Sequence, residues 1–284
     1  MKSIHIVEHR LPEAWENAVL ATWEQGEKFP TEYDKPGDPN SKDVAAMIHV
    51  KHPFEEPRIH RAFPGGLDDL EKYRQEVLFG VHDHWVDPAA GKWEYTYHQR
   101  LFKYDVPGQP PIDQIAGLIE KLKQAPHTRR AQAVTWQAWN DIGISDPACL
   151  QRMWFRISDK KLHMNIHIRS NDALKAGFMN MYAFTELQKM VAKEVGVEPG
   201  EYIHIADSFH IYGAYFDEFR GFLELTGKRE NWEDKTWTTD YAQEFLDDGR
   251  ITLLKEPDLP SDQRIRIFQE LPQELQAQHS KLAT

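Results

Sequence analysis

The 284-residue chain contains a single cysteine, Cys149, so no internal disulfide can staple it and an oxidising compartment is not its expected setting. A cytoplasmic enzyme is the expectation. No window reaches the roughly 18 uninterrupted apolar residues of a membrane span. The first ten residues meet charge at Lys2 and Glu8, too early for a secretory leader. Basic residues are also scarce: 34 Lys and Arg against 45 Asp and Glu leave a net charge of −11. That balance argues against a surface for nucleic-acid polymers, which needs cations to neutralise phosphates. It leaves room for one small phosphate held by a few converging arginines. There is no internal repeat, no low-complexity tract, no H-E-x-x-H and no Cys/His ligand set.

What the chain does have is a hydrophobic content of 40% with nine tryptophans and ten tyrosines, enough to build a sizeable core. Leu11, Trp15, Val19 and Trp23 recur every fourth residue and predict a helix; Phe29 to Ser41 is rich in turn formers and predicts a loop. Met47 to Lys51 predicts a strand, and Leu67, Leu70, Tyr73 and Val77 a helix stopped near Gly80. The aromatic alternation from Trp93 to Tyr104 predicts another strand, followed by a helix carrying Ile112 to Leu122. Strands are expected at Ala131–Trp139, Leu150–Ile157 and Leu162–Ile168. A long helix from Phe178 then ends near Gly196, and a last strand runs over Tyr202–Ile211. Strands flanking a buried helix without regular βαβ alternation predict an α+β fold, a large sheet with helices packed on it.

Several residue types in these segments can carry chemistry. A lone cysteine is ordinarily a small buried hydrophobe, but beside arginine its thiolate becomes a nucleophile. The adjacent guanidiniums of Arg129 and Arg130 form either a solvated loop or a phosphate clamp. His163 and His167 share one strand face, with His204 and His210 on a neighbouring strand; a hydrogen-bonded polar face is the preferred reading, and no metal is expected. Asp172 suits a turn or N-cap. Asn180, inside an apolar helix, would need partners if buried, and its amide offers both a donor and an acceptor, as the edge of uracil does.

Taken in order, these segments resemble the thymidylate synthase family over about Glu76 to Tyr212, roughly half of the chain. The resemblance rests on Thr-Arg-Arg at 128–130, then Asp-Pro-Ala-Cys at 146–149, nineteen positions beyond Arg130. Arg-Ser-Asn-Asp at 169–172 starts twenty positions after Cys149, and His210 in Ser-Phe-His-Ile-Tyr lies thirty beyond Asn180. Upstream, Tyr-Thr-Tyr-His-Gln-Arg-Leu at 95–101 resembles the family's tyrosine-bearing segment. The resemblance implies a single thymidylate synthase-like domain over 1–284 with a variable C-terminal segment from about 255, dimerising through its sheet with shared active sites. It implies that Cys149 adds to C6 of a pyrimidine nucleotide monophosphate, so that C5 can attack a one-carbon unit from 5,10-methylenetetrahydrofolate. Arg169 and Ser170 would bind phosphate, joined by Arg129 and Arg130 of the other subunit. Asn180 would read the base, and His210 and Tyr212 would hold the sugar. Tyr95 would assist proton removal from C5, Glu76 would manage protonation at O4, and Asp172 would meet the folate ring.

Departures from the family pattern lie mostly on the folate side. The nucleophile sits in Ala148-Cys149-Leu150 rather than Pro-Cys-His, and Asp146 stands where an apolar residue is common. Lys-Ala-Gly-Phe-Met-Asn at 175–180 replaces the usual run before the base-reading asparagine, and no short apolar C-terminal closure is present. Lys35, Lys42, Arg58 and Arg61 are all open as the N-terminal phosphate ligand. A polar pocket favours water over hydride at the one-carbon stage. Conversion of dUMP to dTMP is therefore the first expectation, with a hydroxymethylase forming 5-hydroxymethyl-dUMP or 5-hydroxymethyl-(d)CMP second. An inactive nucleotide-binding relative is the reading from another class.

Overall fold

The structure, a computed structural model, describes residues 1–229 and 231–283. Strands are β1 (Ser3–Glu8), β2 (Glu27–Phe29), β3 (Ser41–Val50), β4 (Ile59–His60), β5 (Gln132–Val134), β6 (Leu150–Ser158), β7 (Lys161–Asp172), β8 (Glu198–Ile211) and β9 (Thr236–Trp237). Helices are α1 (Leu11–Gln25), α2 (Leu67–Phe79), α3 (Tyr97–Phe102), α4 (Gln114–Gln124), α5 (Ala138–Asp141) and α6 (Gly177–Val195). They continue with α7 (Phe216–Gly227), α8 (Trp232–Lys235), α9 (Thr239–Leu254), α10 (Ser261–Glu270) and α11 (Gln273–Gln278).

The period-2 pattern of β7 decides which side of the sheet is covered. Leu162, Met164, Ile166 and Ile168 are buried, while His163, Asn165, His167 and Arg169 between them are only partly so. The main sheet has the order β1-β3-β8-β7-β6-β5, with β2 on the same edge of β3 that β1 serves further along. β1–β3 and β7–β8 are parallel and the other pairs antiparallel, so the sheet is mixed. α1 and α6 bury Trp15, Phe178, Met181 and Phe184 in the same core as the inward residues of β3, β7 and β8. On the other face Met47 is exposed and Ile203, Ile205 and Trp154 are half-buried. The expected α+β architecture is therefore observed. Among the described residues, no helix is long and apolar enough to cross a membrane.

Two expected strands are not formed as such. Trp93–Tyr104 is a turn leading into α3, because the Thr96 hydroxyl accepts the Gln99 N–H at 3.0 Å and caps a helix there. Its aromatics are spaced to reach separate partners rather than to line a sheet face. Ala131–Trp139 shortens to β5 and then turns into α5, held by Asp141, which accepts the Gln137 N–H at 2.9 Å and pairs with buried Arg100 at 2.7 Å. The histidine strands also divide. His167 pairs with Asp207 at 2.9 Å on the open face, but His204 is fully buried, bridging Tyr202 and Asn171 at 2.9 and 2.8 Å. The polar-face reading thus holds for His163 and His167 and fails for His204.

Past β9 a second apolar cluster forms. Val81, Ile251, Leu253, Leu254, Leu259, Ile267 and Leu271 pack together, so α9 and α10 attach the C-terminal segment to the end of α2.

Candidate active site

Cys149 ends an irregular segment and immediately precedes β6; its carbonyl accepts the Arg169 N–H at 2.9 Å, which ties it to β7. The Arg169 side chain folds back along the same segment, with Nε donating to the Ala148 carbonyl at 3.2 Å and Nη2 to the Pro147 carbonyl at 2.5 Å. Two phenols fix the other side: the Cys149 N–H donates to Tyr95 Oη and the Leu150 N–H to Tyr97 Oη, each at 3.3 Å. The thiol is thus placed by main-chain bonds to three side chains from distant segments. Behind them, the Arg100–Asp141 pair anchors α5 and the path into Ser145–Ala148. Both partners are buried, so breaking the pair costs about 3–5 kcal/mol.

Cys149 opens into a cleft of about 780 Å³ that it shares with Arg169, Ser170, Tyr212, Tyr215 and Asp146. A second cleft of about 610 Å³ contains Tyr73, Glu76, Trp93, Tyr95 and Tyr97. Ser145 and Asp146 belong to both and form the wall between them. Burial pushes the thiol of Cys149 up, Arg169 opposes that rise, and Asp146 adds to it. The resting sulfur is therefore a thiol that Arg169 makes easier to ionise and Asp146 makes harder. Burial, followed by the neighbouring thiol, holds Tyr95 well above the ordinary phenol range, so it is a hydrogen-bonding group and not a resident tyrosinate.

The remaining site residues fall into four groups. Ser170 and Tyr212 share the cleft with the thiol, and burial pushes Tyr212 up to about 12. Asn180 and His210 are each 5% exposed; Asn180 meets Tyr73 of the second cleft, and His210 packs against Tyr212 of the first. The carbonyl oxygen of Asn180 accepts from Tyr73 Oη at 2.5 Å, which satisfies one acceptor of a buried amide. Burial lowers His210 to about 4, so its imidazole is neutral; its Nδ1 is 3.0 Å from Ser208 Oγ, and its Nε2 is buried without a hydrogen-bond partner among the described residues. A bulge sets this residue's direction. Three steps of β8, from Ala206 to Phe209, oppose two of β3, so Phe209 and Ile211 continue the inner face in place of His210. Asp172 Oδ1 caps the turn before α6 by accepting the N–H groups of Leu174 and Lys175 at 3.0 and 2.9 Å. Burial nevertheless raises it to about 6. Arg129 and Arg130 stand apart from the cleft of their own chain, exposed in the loop before β5.

The four cations left open in the sequence are separated by the fold. Lys35 borders the Cys149 cleft. Arg58 is buried against Glu186 at 2.6 Å, Lys42 donates to the Trp23 carbonyl, and Arg61 lies over Trp237. Lys35 arrives on the loop between β2 and β3. Gly213 admits that loop, since a Cβ there would sit 1.6 Å from the Pro39 carbonyl oxygen. Sequence reasoning also missed His82 and Glu256, which surround Glu76: His82 Nδ1 is 2.7 Å from Glu76 Oε1, and Nε2 is 3.0 Å from Glu256 Oε2. Among the described residues, no group of three or more His, Cys, Asp or Glu side chains is placed to hold a metal ion.

Comparison with known proteins fits this geometry. The family model described as thymidylate synthase matches residues 67–236. A protein of Methanocaldococcus jannaschii described as "Putative thymidylate synthase" is 34% identical over 205 residues, covering 70% of this chain and 86% of that protein. One of the same description from Methanosarcina mazei is 31% identical over 207 residues, covering 73% and 88%. Thermostable thymidylate synthase A from Bacillus subtilis shares the fold, with a TM-score of 0.60 at 21% identity, over 76% of this chain and 84% of that one. The chain belongs to the thymidylate synthase family, a family of one-carbon transferases.

Proposed function

We propose that the protein converts dUMP to dTMP, with 5,10-methylenetetrahydrofolate as the one-carbon donor. The observation that carries this reading is the joint placement of Cys149, Arg169, Ser170 and Tyr212 around one cleft, with Tyr95 bonded to the Cys149 backbone at its edge. In this reading the Cys149 sulfur adds to C6 and the ring becomes electron-rich at C5. Arg169 and Ser170 hold the phosphate, with Lys35 as the ligand from the N-terminal loop. Arg169 then serves twice, since its guanidinium also favours the thiolate. The unpartnered Nε2 of His210, together with Tyr212, takes the sugar hydroxyl.

Asn180 favours uracil. Its oxygen has a second lone pair for N3–H beside the Tyr73 bond, and its NH₂ donates to O4. Tyr95, which stays protonated, relays the C5 proton by hydrogen bonding, while Glu76 manages the charge at O4 from the second cleft. The aromatic walls of that cleft, Trp93 and Tyr95, suit a flat heteroaromatic ring such as that of the folate. Asp172 lies outside that lining, near Tyr212 of the Cys149 cleft, and meets the ring from that side.

The chain acts as one unit over 1–284, with the segment from about 255 packed onto α2, and it forms a homodimer through the sheet face opposite α1 and α6. Half-buried Ile203 and Ile205 and exposed Met47 support that interface. The exposed position of Arg129 and Arg130 away from their own cleft is what a ligand for the partner's phosphate requires.

One observation supports the hydroxymethylase as a second reading. Asp146 stands in the wall between the clefts, where a carboxylate would hold water close to the one-carbon unit. Incubation with dUMP or dCMP and methylenetetrahydrofolate, followed by mass spectrometry, separates the readings. Methyl gain with dihydrofolate formed is the expected result. Hydroxymethyl gain without folate oxidation would establish the second reading, and no adduct with either nucleotide would defeat both.

A further inference from the structure

Glu76 does not face its cleft alone. His82 is 3% exposed and stands between two carboxylates, Glu76 at 2.7 Å and Glu256 at 3.0 Å. Its ring lies flat on Trp85, with centroids 3.7 Å apart and planes 6° apart, and Trp93 meets it edge-on at 6.0 Å. Trp85 is fixed in turn by donating from Nε1 to Asp258 at 2.8 Å. Glu256 and Asp258 both come from the connection between α9 and α10, so the C-terminal segment reaches back to the end of α2 and locks this ring from two sides.

A neutral imidazole has one N–H, whereas ionised carboxylates only accept. Two carboxylates at hydrogen-bond distance on opposite ring nitrogens are both satisfied only by an imidazolium. We propose that His82 and Glu256 are positioning residues for Glu76: the C-terminal segment supplies the second carboxylate that keeps His82 charged, and that cation keeps Glu76 an oriented carboxylate at the edge of the cleft. Burial alone would push His82 down, but the hydrogen bonds and charges of Glu76 and Glu256 outweigh it and raise the group overall. The other titratable groups nearby are engaged elsewhere. His84, its ring centroid 6.4 Å from that of His82, pairs with Asp258 at 3.4 Å; Asp83 accepts from Thr96 and pairs with His98. The consequence for chemistry rests on the reading of Glu76 given above. The C-terminal segment then fixes the charge partner and orientation of a group on the one-carbon side of the site without touching substrate.

The test has two arms on the full chain. In the first, histidine ring NMR follows the titration of His82, assigned by its loss in His82→Gln, in wild type, Glu256→Gln and Glu76→Gln. Removing either carboxylate takes away one opposite charge, so each midpoint is expected to fall by about one pH unit or more. A midpoint unmoved in Glu256→Gln overturns the relay, whatever the activity of the protein. In the second arm, the alkaline limb of kcat against pH is expected to move down by the same amount in Glu256→Gln, with KM for the nucleotide changed less than about twofold. Glu256→Asp, which restores the charge, is expected to bring the limb back toward wild type. A shifted titration with an unshifted limb overturns the positioning role. Absence of any turnover in wild type counts against the functional reading of the site instead, and the NMR arm still decides the relay.

Discussion

The two clefts on either side of Asp146 are built in different ways. The one holding Cys149 has its floor at the ends of β6, β7 and β8, where sheet pairing fixes Arg169 and Ser170 and Tyr212 follows directly on β8, while the β2–β3 loop forms its rim. The one holding Glu76 is assembled from the end of α2, the turn before α3 and side chains arriving from the C-terminal segment. Strand ends constrain a side chain to within a fraction of an ångström because every neighbour is hydrogen-bonded. A cleft made of loops and long-range ion pairs can change its lining without disturbing the sheet. Two of the departures from the family pattern, Asp146 and the C-terminal segment, sit where this difference allows them; those at Ala148-Cys149-Leu150 and 175–180 do not. On the proposed reading, attack on the base is the rigid half of the chemistry and the fate of the one-carbon unit the adjustable half.

The sharpest way to break that comparison is at the sulfur. Cys149→Ser is expected to reduce turnover by roughly three orders of magnitude or more while dUMP affinity stays within about fivefold, because the phosphate and sugar contacts come from other strand ends. Product formation measured beside equilibrium nucleotide binding checks both halves, and a rate near wild type would remove covalent attack from the mechanism. The next effect is on stability. Asp172 is raised to about 6 by burial, from an ordinary 3.8. The folded chain therefore binds that proton more tightly than the unfolded chain, and stability falls as pH climbs from about 4 through 6. Asp172→Asn, which keeps the cap, is expected to stabilise the protein by roughly 2–3 kcal/mol at pH 7.5 and hardly at all at pH 4. Urea melts at the two pH values decide it; an equal gain at both would mean that the charge of Asp172 costs nothing.

The same division explains what could be read in the sequence. On the strand-built side the alternation of β7 was legible from period, and the order and spacing of Cys149, Arg169, Asn180 and His210 carried the family resemblance, from which alone their proposed roles came. On the loop-built side the same resemblance named Glu76 and Tyr95, but not the local structure or the partners around them. Thr96 turned an aromatic alternation into a capped helix, since one side-chain cap outweighs a period-2 pattern over so few residues. His82 and Glu256 meet across 174 positions, a pairing with no local signal at either end. Arg58 and Arg61 read as equivalents of Lys35 until burial separated them, because a sequence does not tell a guanidinium that supports a core from a lysine that borders a cleft.

Lys35 tests whether the rigid cleft borrows anything from a loop. Its carrier is secured by Asp34 and Asp38, which accept N–H groups of Thr31 and Lys35, each at 2.8 Å, and by the close approach of Pro39 to Gly213. Losing one exposed cation from a phosphate site costs about 1.4 kcal/mol, so Lys35→Ala is expected to raise KM for the nucleotide about tenfold with kcat little changed. Steady-state kinetics check this, and an unchanged KM would leave the phosphate to Arg169 and the partner's arginines.

The smallest expected effect bears directly on the wall between the clefts. Asp146 and Arg169 pull the acidity of Cys149 in opposite directions against a background of burial. In Asp146→Asn the thiol loses a neighbouring anion and ionises more easily, whereas in Arg169→Gln it loses a cation and ionises less easily. The rate of alkylation by iodoacetamide follows the thiolate fraction, and Cys149 is the chain's sole cysteine, so the pH at half-maximal labelling reads this residue alone. That pH is expected to fall by about half a unit to one unit in Asp146→Asn and to rise in Arg169→Gln. If both variants moved it the same way, the change would report burial rather than charge, and Asp146 would not couple the two clefts. Opposite shifts would mean that the carboxylate in the wall between the clefts restrains the nucleophile by its charge, so a residue bordering the adjustable cleft tunes the rigid one.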